Sequence, residues 1–208
     1  MKYLDLTREI SNDSRPFPGD PPVNLTPEAV IERDGFLVRN LSFSSHQGTH
    51  IDAPAHVMPG GMVLNDFPLE IFAGPARVLK LGQMGPRTAI TREMLEAFDS
   101  EFRGCERMLF SAQWDGDFFE DAPFFTPAAA RWLVARSELL MLGFDWPSPD
   151  EYGDEDLTIH RIFLSKGLIF VENLTNLEKL PARFTLSAFP LSLKDAEAAP
   201  VRAVASWN

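Results

Sequence analysis

Seventeen prolines and thirteen glycines punctuate the 208 residues of this chain, and their frequency constrains its fold more than any other feature. Proline breaks a helix and leaves a strand without a ladder donor, while glycine costs about 1 kcal/mol in a helix interior. Many short elements joined by turns must follow. Eight segments carry the β-branched and aromatic content and the turn flanks of strands: residues 3–6, 37–43, 76–81, 107–111, 139–143, 168–172, 184–191 and 201–205. Helices are fewer. Residues 91–102 place Met94, Leu95, Phe98 and Phe102 on one face, Thr126-Pro127 starts a segment that reaches Arg136, and residues 159–165 form a third candidate. The segment from Thr126 lies between two strand candidates, which predicts a parallel crossover, whereas the strand-rich ends predict antiparallel or mixed pairing. The fold class is α/β with a mixed sheet, and the length suits one domain over residues 1–208.

Composition removes several classes of function. Apolar residues make up 45% of the chain and charged residues 24%, a globular mixture. The longest apolar stretches, residues 139–144 and 167–171, fall far short of the roughly 20 residues that span a bilayer, so no membrane partner is expected. Residues 1–9 lack the apolar segment and small-residue cleavage site of a secretory signal. Cys105 is the single cysteine, which excludes an intrachain disulfide and a thiolate metal cluster and fits a cytoplasmic location. A net charge of −11, with scattered Lys and Arg, makes nucleic acid a poor partner.

Chemistry concentrates in the histidines. Of four in the chain, His46, His50 and His56 lie within eleven residues, and His160 stands apart. His46, His50 and Asp52 share parity, so in an extended segment their side chains leave one side of the backbone, with Gly48 leaving that side open. Two imidazoles and a carboxylate form an N/O ligand set for a divalent transition metal with room for water. The same spacing suits a helical face, but Gly48, Thr49, Ile51 and Pro54 argue against a helix. His56 follows the turn at Pro54 and need not share that direction, and its near-neutral pKa suits a general acid or base. Histidines also cluster in loops for structural hydrogen bonds alone, and His160 by itself reads more simply as structural. Glu172 ends the apolar run 167–171, where an unpaired carboxylate is costly, so it requires either a metal or a cation such as Arg161.

The stretch Ser45-His46-Gln47-Gly48-Thr49-His50-Ile51-Asp52-Ala53-Pro54-Ala55-His56 resembles the signature of the putative cyclase family, which includes bacterial kynurenine formamidases and isatin hydrolases. The resemblance continues through Phe17-Pro18-Gly19-Asp20-Pro21, residues 143–148, His160-Arg161, residues 171–177, residues 188–191 and residues 200–205. It implies a swivelling β/β/α fold, a homodimer or homotetramer, and zinc or manganese, one or two ions per subunit. It further implies that His46, His50 and Asp52 ligate a first metal with Asp52 bridging, that His160 and Glu172 complete a two-metal site, and that His56 is catalytic. Phe17 matches an aromatic position that touches substrate. The residues 172–176 and 111–114 depart from the formamidase pattern and bear on substrate choice.

Together these features imply hydrolysis of a small-molecule amide, an aryl formamide such as N-formylkynurenine or a cyclic amide, by metal-activated water. His56 would handle protons, Glu172 would orient water or assist, and Phe17, Phe67 and Trp146 would form an aromatic wall or belong to the core. The alternative is a metal or small-molecule binding module without catalysis, which needs the ligands but has no use for His56 as a proton carrier.

Overall fold

The structure, a computed structural model, describes residues 1–114 and 119–208. Its first strands are β1 (Lys2–Asp5), β2 (Asn24–Ala29), β3 (Val38–Ser42), β4 (His50–Asp52), β5 (Ala73–Lys80), β6 (Ala89–Ile90) and β7 (Arg107–Ser111). They are followed by β8 (Phe124–Phe125), β9 (Met141–Phe144), β10 (Ile169–Glu172), β11 (Arg183–Ser187), β12 (Ala198–Pro200) and β13 (Val204–Trp207). The helices are α1 (Ile31–Asp34), α2 (Arg92–Glu96), α3 (Asp99–Phe102), α4 (Pro127–Val134) and α5 (Thr158–Leu164).

Among the described residues, nine strands form one sheet in the order β1-β13-β11-β5-β7-β9-β10-β4-β12. Its centre, β5-β7-β9-β10, is parallel, and the pairings outside that centre are antiparallel. Both follow from chain order. A parallel pair needs a crossover, and α4 lies between β7 and β9 while α5 lies between β9 and β10. The strands β7, β9 and β10 are buried along their whole length, as near-continuous apolar runs covered on both faces should be.

Aromatic packing fixes the helices on this sheet. Phe144 of β9 stacks on Trp146 at 4.8 Å and on Phe170 of β10 at 5.6 Å, and Phe163 of α5 meets Phe170 edge-on at 5.9 Å. The contact from Phe163 matters for the site, because α5 also carries His160. At the start of α4 the Thr126 hydroxyl accepts from the Ala129 N–H at 3.2 Å, with Pro127 in the first turn, as the sequence predicts.

Several elements differ from the sequence expectation. The helix predicted over 91–102 is two short helices, because Phe98 leaves the helical path at φ −115° and ψ 22°; Leu95 and Phe102 remain buried while Phe98 is partly exposed. The strand predicted over 184–191 stops at Ser187, where the Ala188 N–H turns to the Phe72 carbonyl and Pro190, lacking an N–H, keeps only an isolated bridge to Val201. The last strand starts at Val204 instead of 201, and Ala198–Pro200, which the pattern does not mark, forms the sheet edge beside β4. Finally β2, diluted by Pro27 and Glu28, pairs with β3 through an irregular register in a separate hairpin. That hairpin exposes Ile31, Phe36, Leu37, Val38 and Leu41. Among the described residues, no helix is long and apolar enough to cross a membrane.

Candidate metal centre

The histidine segment is extended only in part. His46 sits in a turn in which its N–H donates to Ser44 Oγ at 3.2 Å and the Gln47 N–H donates to the Ser44 carbonyl at 3.0 Å. Gly48 follows at φ +67°, and a Cβ there would lie 3.0 Å from Ile10 Cγ1. Glycine is therefore required by a left-handed turn and a close approach, not to keep a metal-facing side open. The strand begins at His50. From there parity holds: His50 and Asp52 leave the same face of β4, and the antiparallel register sets Glu172 of β10 directly opposite His50. His56 ends a 3-10 turn begun by Pro54, which brings its ring to 4.2 Å from that of His46 and 5.4 Å from that of His160.

The polar atoms of these residues converge. His46 Nδ1 lies 3.0 Å from Asp52 Oδ1, and His50 Nε2 lies 3.3 Å from the same oxygen and 3.3 Å from Glu172 Oε2. His160 Nε2 lies 3.4 Å from Asp52 Oδ2 and 3.6 Å from Glu172 Oε1. Asp52, His50, His160 and Glu172 are all buried. Despite this proximity, His50 Nε2, both Asp52 carboxylate oxygens and Glu172 Oε1 make no aligned hydrogen bond among the described residues. Buried carboxylate oxygens left in that state are costly. A divalent cation fits the gap, since two carboxylates and imidazole lone pairs are the donor set such an ion prefers. Among the described residues, two sets have ligand atoms within 4.8 Å of one another, His50 with Asp52 and Glu172, and His46 with Asp52 and His56. Asp52 is common to both, which suits a bridge. His46 Nδ1 and His50 Nε2 both lie against Asp52 Oδ1, with their rings 5.0 Å apart, so the two imidazoles meet at that one oxygen.

The far nitrogens of His46, His50 and His160 each have a neighbour. His50 Nδ1 lies 3.0 Å from the Gly48 carbonyl, so its proton is donated there and the Nε2 lone pair faces the carboxylates. His160 Nδ1 contacts Asp150, and His46 Nε2 is 3.6 Å from Glu197 Oε1, which accepts from Ser45 Oγ at 2.6 Å. Thr49 ties the segments together: its hydroxyl donates to the Asn173 carbonyl at 2.7 Å and accepts from the Arg8 N–H at 2.9 Å. Asn173 Nδ2 donates in turn to the Gly48 carbonyl at 3.2 Å. Sequence reasoning misses Asp150 and Glu197, which carry no local signal, whereas Thr49 and Asn173 lie inside the quoted motifs. Arg161 does not serve Glu172; its guanidinium donates to the Val57 and Asp156 carbonyls.

Electrostatics favour a cation. Burial opposes charge on His50, yet Asp52 and Glu172 outweigh it and raise its pKa well above the usual imidazole value. Burial likewise opposes charge on His160, but the contacts with Asp150 and Asp52 raise it to about 10. Asp52 is held well below the usual carboxylate range, its burial overcome by His46 and His50, while burial and the neighbouring Asp52 push Glu172 up. The pocket takes positive charge, as protons when no metal is bound. His56 is the exception: burial, reinforced by the other histidines, lowers it to about 4 despite Asp52. It is neutral at pH 7.

A cavity of about 740 Å³ opens over this cluster, with His46, His50, Asp52, His56, His160 and Glu172 in its lining. It lies past the carboxyl ends of the parallel strands, where open α/β sheets place their ligands. Phe17 contributes to the wall, with its ring 5.3 Å from that of Phe119, and Trp114 joins them. Trp146 is fully buried in the aromatic stack and Phe67 packs against the core, so neither lines the cavity.

Residues 4–151 match the family model described as "Putative cyclase". The chain belongs to that family. Among similar proteins, the kynurenine formamidase of Salinibacter ruber is 34% identical over 209 residues, covering 98% of this chain and 97% of the relative. A predicted metal-dependent hydrolase from Bacillus stearothermophilus has a similar structure, with a TM-score of 0.79, 25% identity, and coverage of 98% and 97% of the two chains. Isatin hydrolase A from Labrenzia aggregata, bound to benzyl benzoate, shares the fold at a TM-score of 0.83 and 23% identity, with coverage of 98% and 93%. The mixed sheet of this cyclase-family chain is thus the family's fold.

Placement of His56 depends on a glycine outside the motif. The Ala55 N–H donates to the Met62 carbonyl at 3.0 Å, and a Cβ on Gly61 would lie 2.7 Å from the Pro54 carbonyl carbon and 2.8 Å from the Ala55 nitrogen. Backbone cannot yield as a side-chain tip can. Gly61→Ala is expected to lower stability by about 1–3 kcal/mol in urea unfolding; an unchanged midpoint would show that the turn carrying His56 shifts freely.

Proposed function

We propose that this cyclase-family protein is a metal-dependent hydrolase of carbon–nitrogen amide bonds, acting on an aryl formamide such as N-formylkynurenine or on a cyclic amide. One observation carries the reading: buried oxygens of Asp52 and Glu172 and the His50 Nε2, without aligned partners among the described residues, converge beside His56 at one cavity. Similarity to a kynurenine formamidase over nearly the full length of both chains supports the reaction class.

His46, His50, Asp52, His160 and Glu172 would hold one or two ions, with Asp52 shared, and the N/O donor set suits zinc or manganese. Such an ion supplies Lewis acidity, lowering the pKa of water and offsetting the charge that develops on the carbonyl oxygen. The chain's own residues do the rest. Neutral His56 accepts the proton of the attacking water at its free ring nitrogen and returns it to the departing nitrogen, which leaves poorly as an anion. Glu172, fixed opposite His50, orients the water. Phe17, Trp114 and Phe119 offer flat apolar surface for an aryl group and keep bulk water from the bond being broken. A binding module would need the ligands but not a neutral histidine facing the same cavity, so the enzyme is the better reading.

The assembly we propose is a homodimer or homotetramer, supported by the exposed apolar residues of the β2–β3 hairpin, which has no core of its own. Sedimentation at micromolar concentration is expected to give a particle larger than 23.3 kDa; a monomer would remove this proposal.

Metal content and turnover of formanilides, measured on the same samples, test the site. His46→Ala and Asp52→Ala are expected to lose metal and activity together. His56→Ala is expected to keep near-parental metal and lose about 10²- to 10⁴-fold in kcat. Loss of metal from His56→Ala would make His56 a ligand, and full activity would remove its role in proton transfer.

A further inference from the structure

The helix α5 presents His160 to the site, but its N-terminus is not capped by its own N-cap residue, Leu157, which lies at φ +50°. The preceding loop supplies the acceptors. Asp154 Oδ2 accepts from the Thr158 N–H at 3.1 Å, and Asp150 accepts from the N–H groups of Ile159 and His160, the latter at 3.1 Å. A helix cap requires no more than this.

Asp150 does more. The oxygen that accepts from the His160 N–H also contacts Nδ1 of the His160 ring. Asp150 is buried at 4% exposure, so water does not compete for that contact. On the other side of the ring, Nε2 stands 3.4 Å from Asp52 Oδ2 and 3.6 Å from Glu172 Oε1. An imidazole whose Nδ1–H is committed to a carboxylate has its lone pair at Nε2, and the carboxylate makes that lone pair a stronger donor.

We infer that Asp150 is a positioning residue of the metal centre, setting the tautomer and ring orientation of His160 so that Nε2 faces the cation site. The inference rests on the proposed metal-dependent function. Asp150 acts through His160 and touches neither the ion nor the substrate. Replacing it by Asn keeps its shape but sets up a conflict. An amide NH₂ facing Nδ1 would drive the ring proton to Nε2, toward the ion; the flipped amide would keep the ring contact and the bond from the His160 N–H but set its NH₂ against the Ile159 N–H.

The test uses metal-free full-length protein and Zn²⁺ alone as the probe, with affinity read by competition against a chromogenic chelator. The parent, Asp150→Asn, His160→Ala and the double variant are compared, with thermal unfolding as the check on folding. Asp150→Asn is expected to weaken zinc binding by about 10- to 100-fold in the parent. In the His160→Ala background the same change is expected to cost no more than about 2-fold, because the ring it acts through is gone. An equal loss in both backgrounds, or no loss in the parent, would overturn the inference and leave Asp150 a helix cap alone. A parent that binds no zinc would fail the metal reading itself, a result distinct from any difference among variants. Should Asp150→Asn fail to fold, ¹⁵N NMR of the zinc-loaded parent decides: His160 protonated at Nδ1 and bare at Nε2 is expected, and the reverse overturns the inference.

Discussion

Everything in this site depends on the burial of two carboxylates on one face of adjacent antiparallel strands. Asp52 lies in β4 and Glu172 ends β10, and the register that pairs Glu172 with His50 brings both acids to the same imidazole nitrogen at 3.3 Å. Like charges held together away from water repel, and each carries a desolvation cost of several kcal/mol. Protons on the surrounding imidazoles offset that cost in part. A divalent ion offsets it more fully, and it uses lone pairs that otherwise have no partner.

The fold supplies this arrangement through its topology. Parallel strands at the centre of the sheet require crossovers, and α5 is therefore delivered beside the carboxyl end of β10, where it carries His160 to Asp52 and Glu172. Phe163 holds the helix to the sheet through Phe170, and Phe170 is itself the cross-strand neighbour of Asp52. Core packing and ligand placement thus share residues. The buried polar contacts behind the rings, from the Gly48 carbonyl and Asp150, orient donors that would otherwise be free to present either nitrogen.

Much of this is legible in the sequence, and the reasons are physical. The strand at 107–111 matches β7 at both ends because a buried central strand is a continuous apolar run with turns on each side. Glu172 stands out because a carboxylate ends such a run. Parity places His50 with Asp52 on one face of β4, whereas His46 precedes the strand and reaches Asp52 Oδ1 from a turn, because the spacing of the two histidines is the same whether Gly48 is extended or left-handed. Trp146 and Phe17 show the same limit: both are aromatic and near motif residues, yet one stacks in the core and the other faces the cavity. Asp150 and Glu197 are silent in the sequence because only tertiary structure brings them to His160 and His46.

Anomalous X-ray scattering from crystals soaked in Mn²⁺ tests the central claim most directly. A peak is expected among His50 Nε2, the Asp52 carboxylate and Glu172, with any second peak on the His46 side of Asp52. Mn²⁺ bound elsewhere while these atoms face only water, or crystals that take up none, would contradict it.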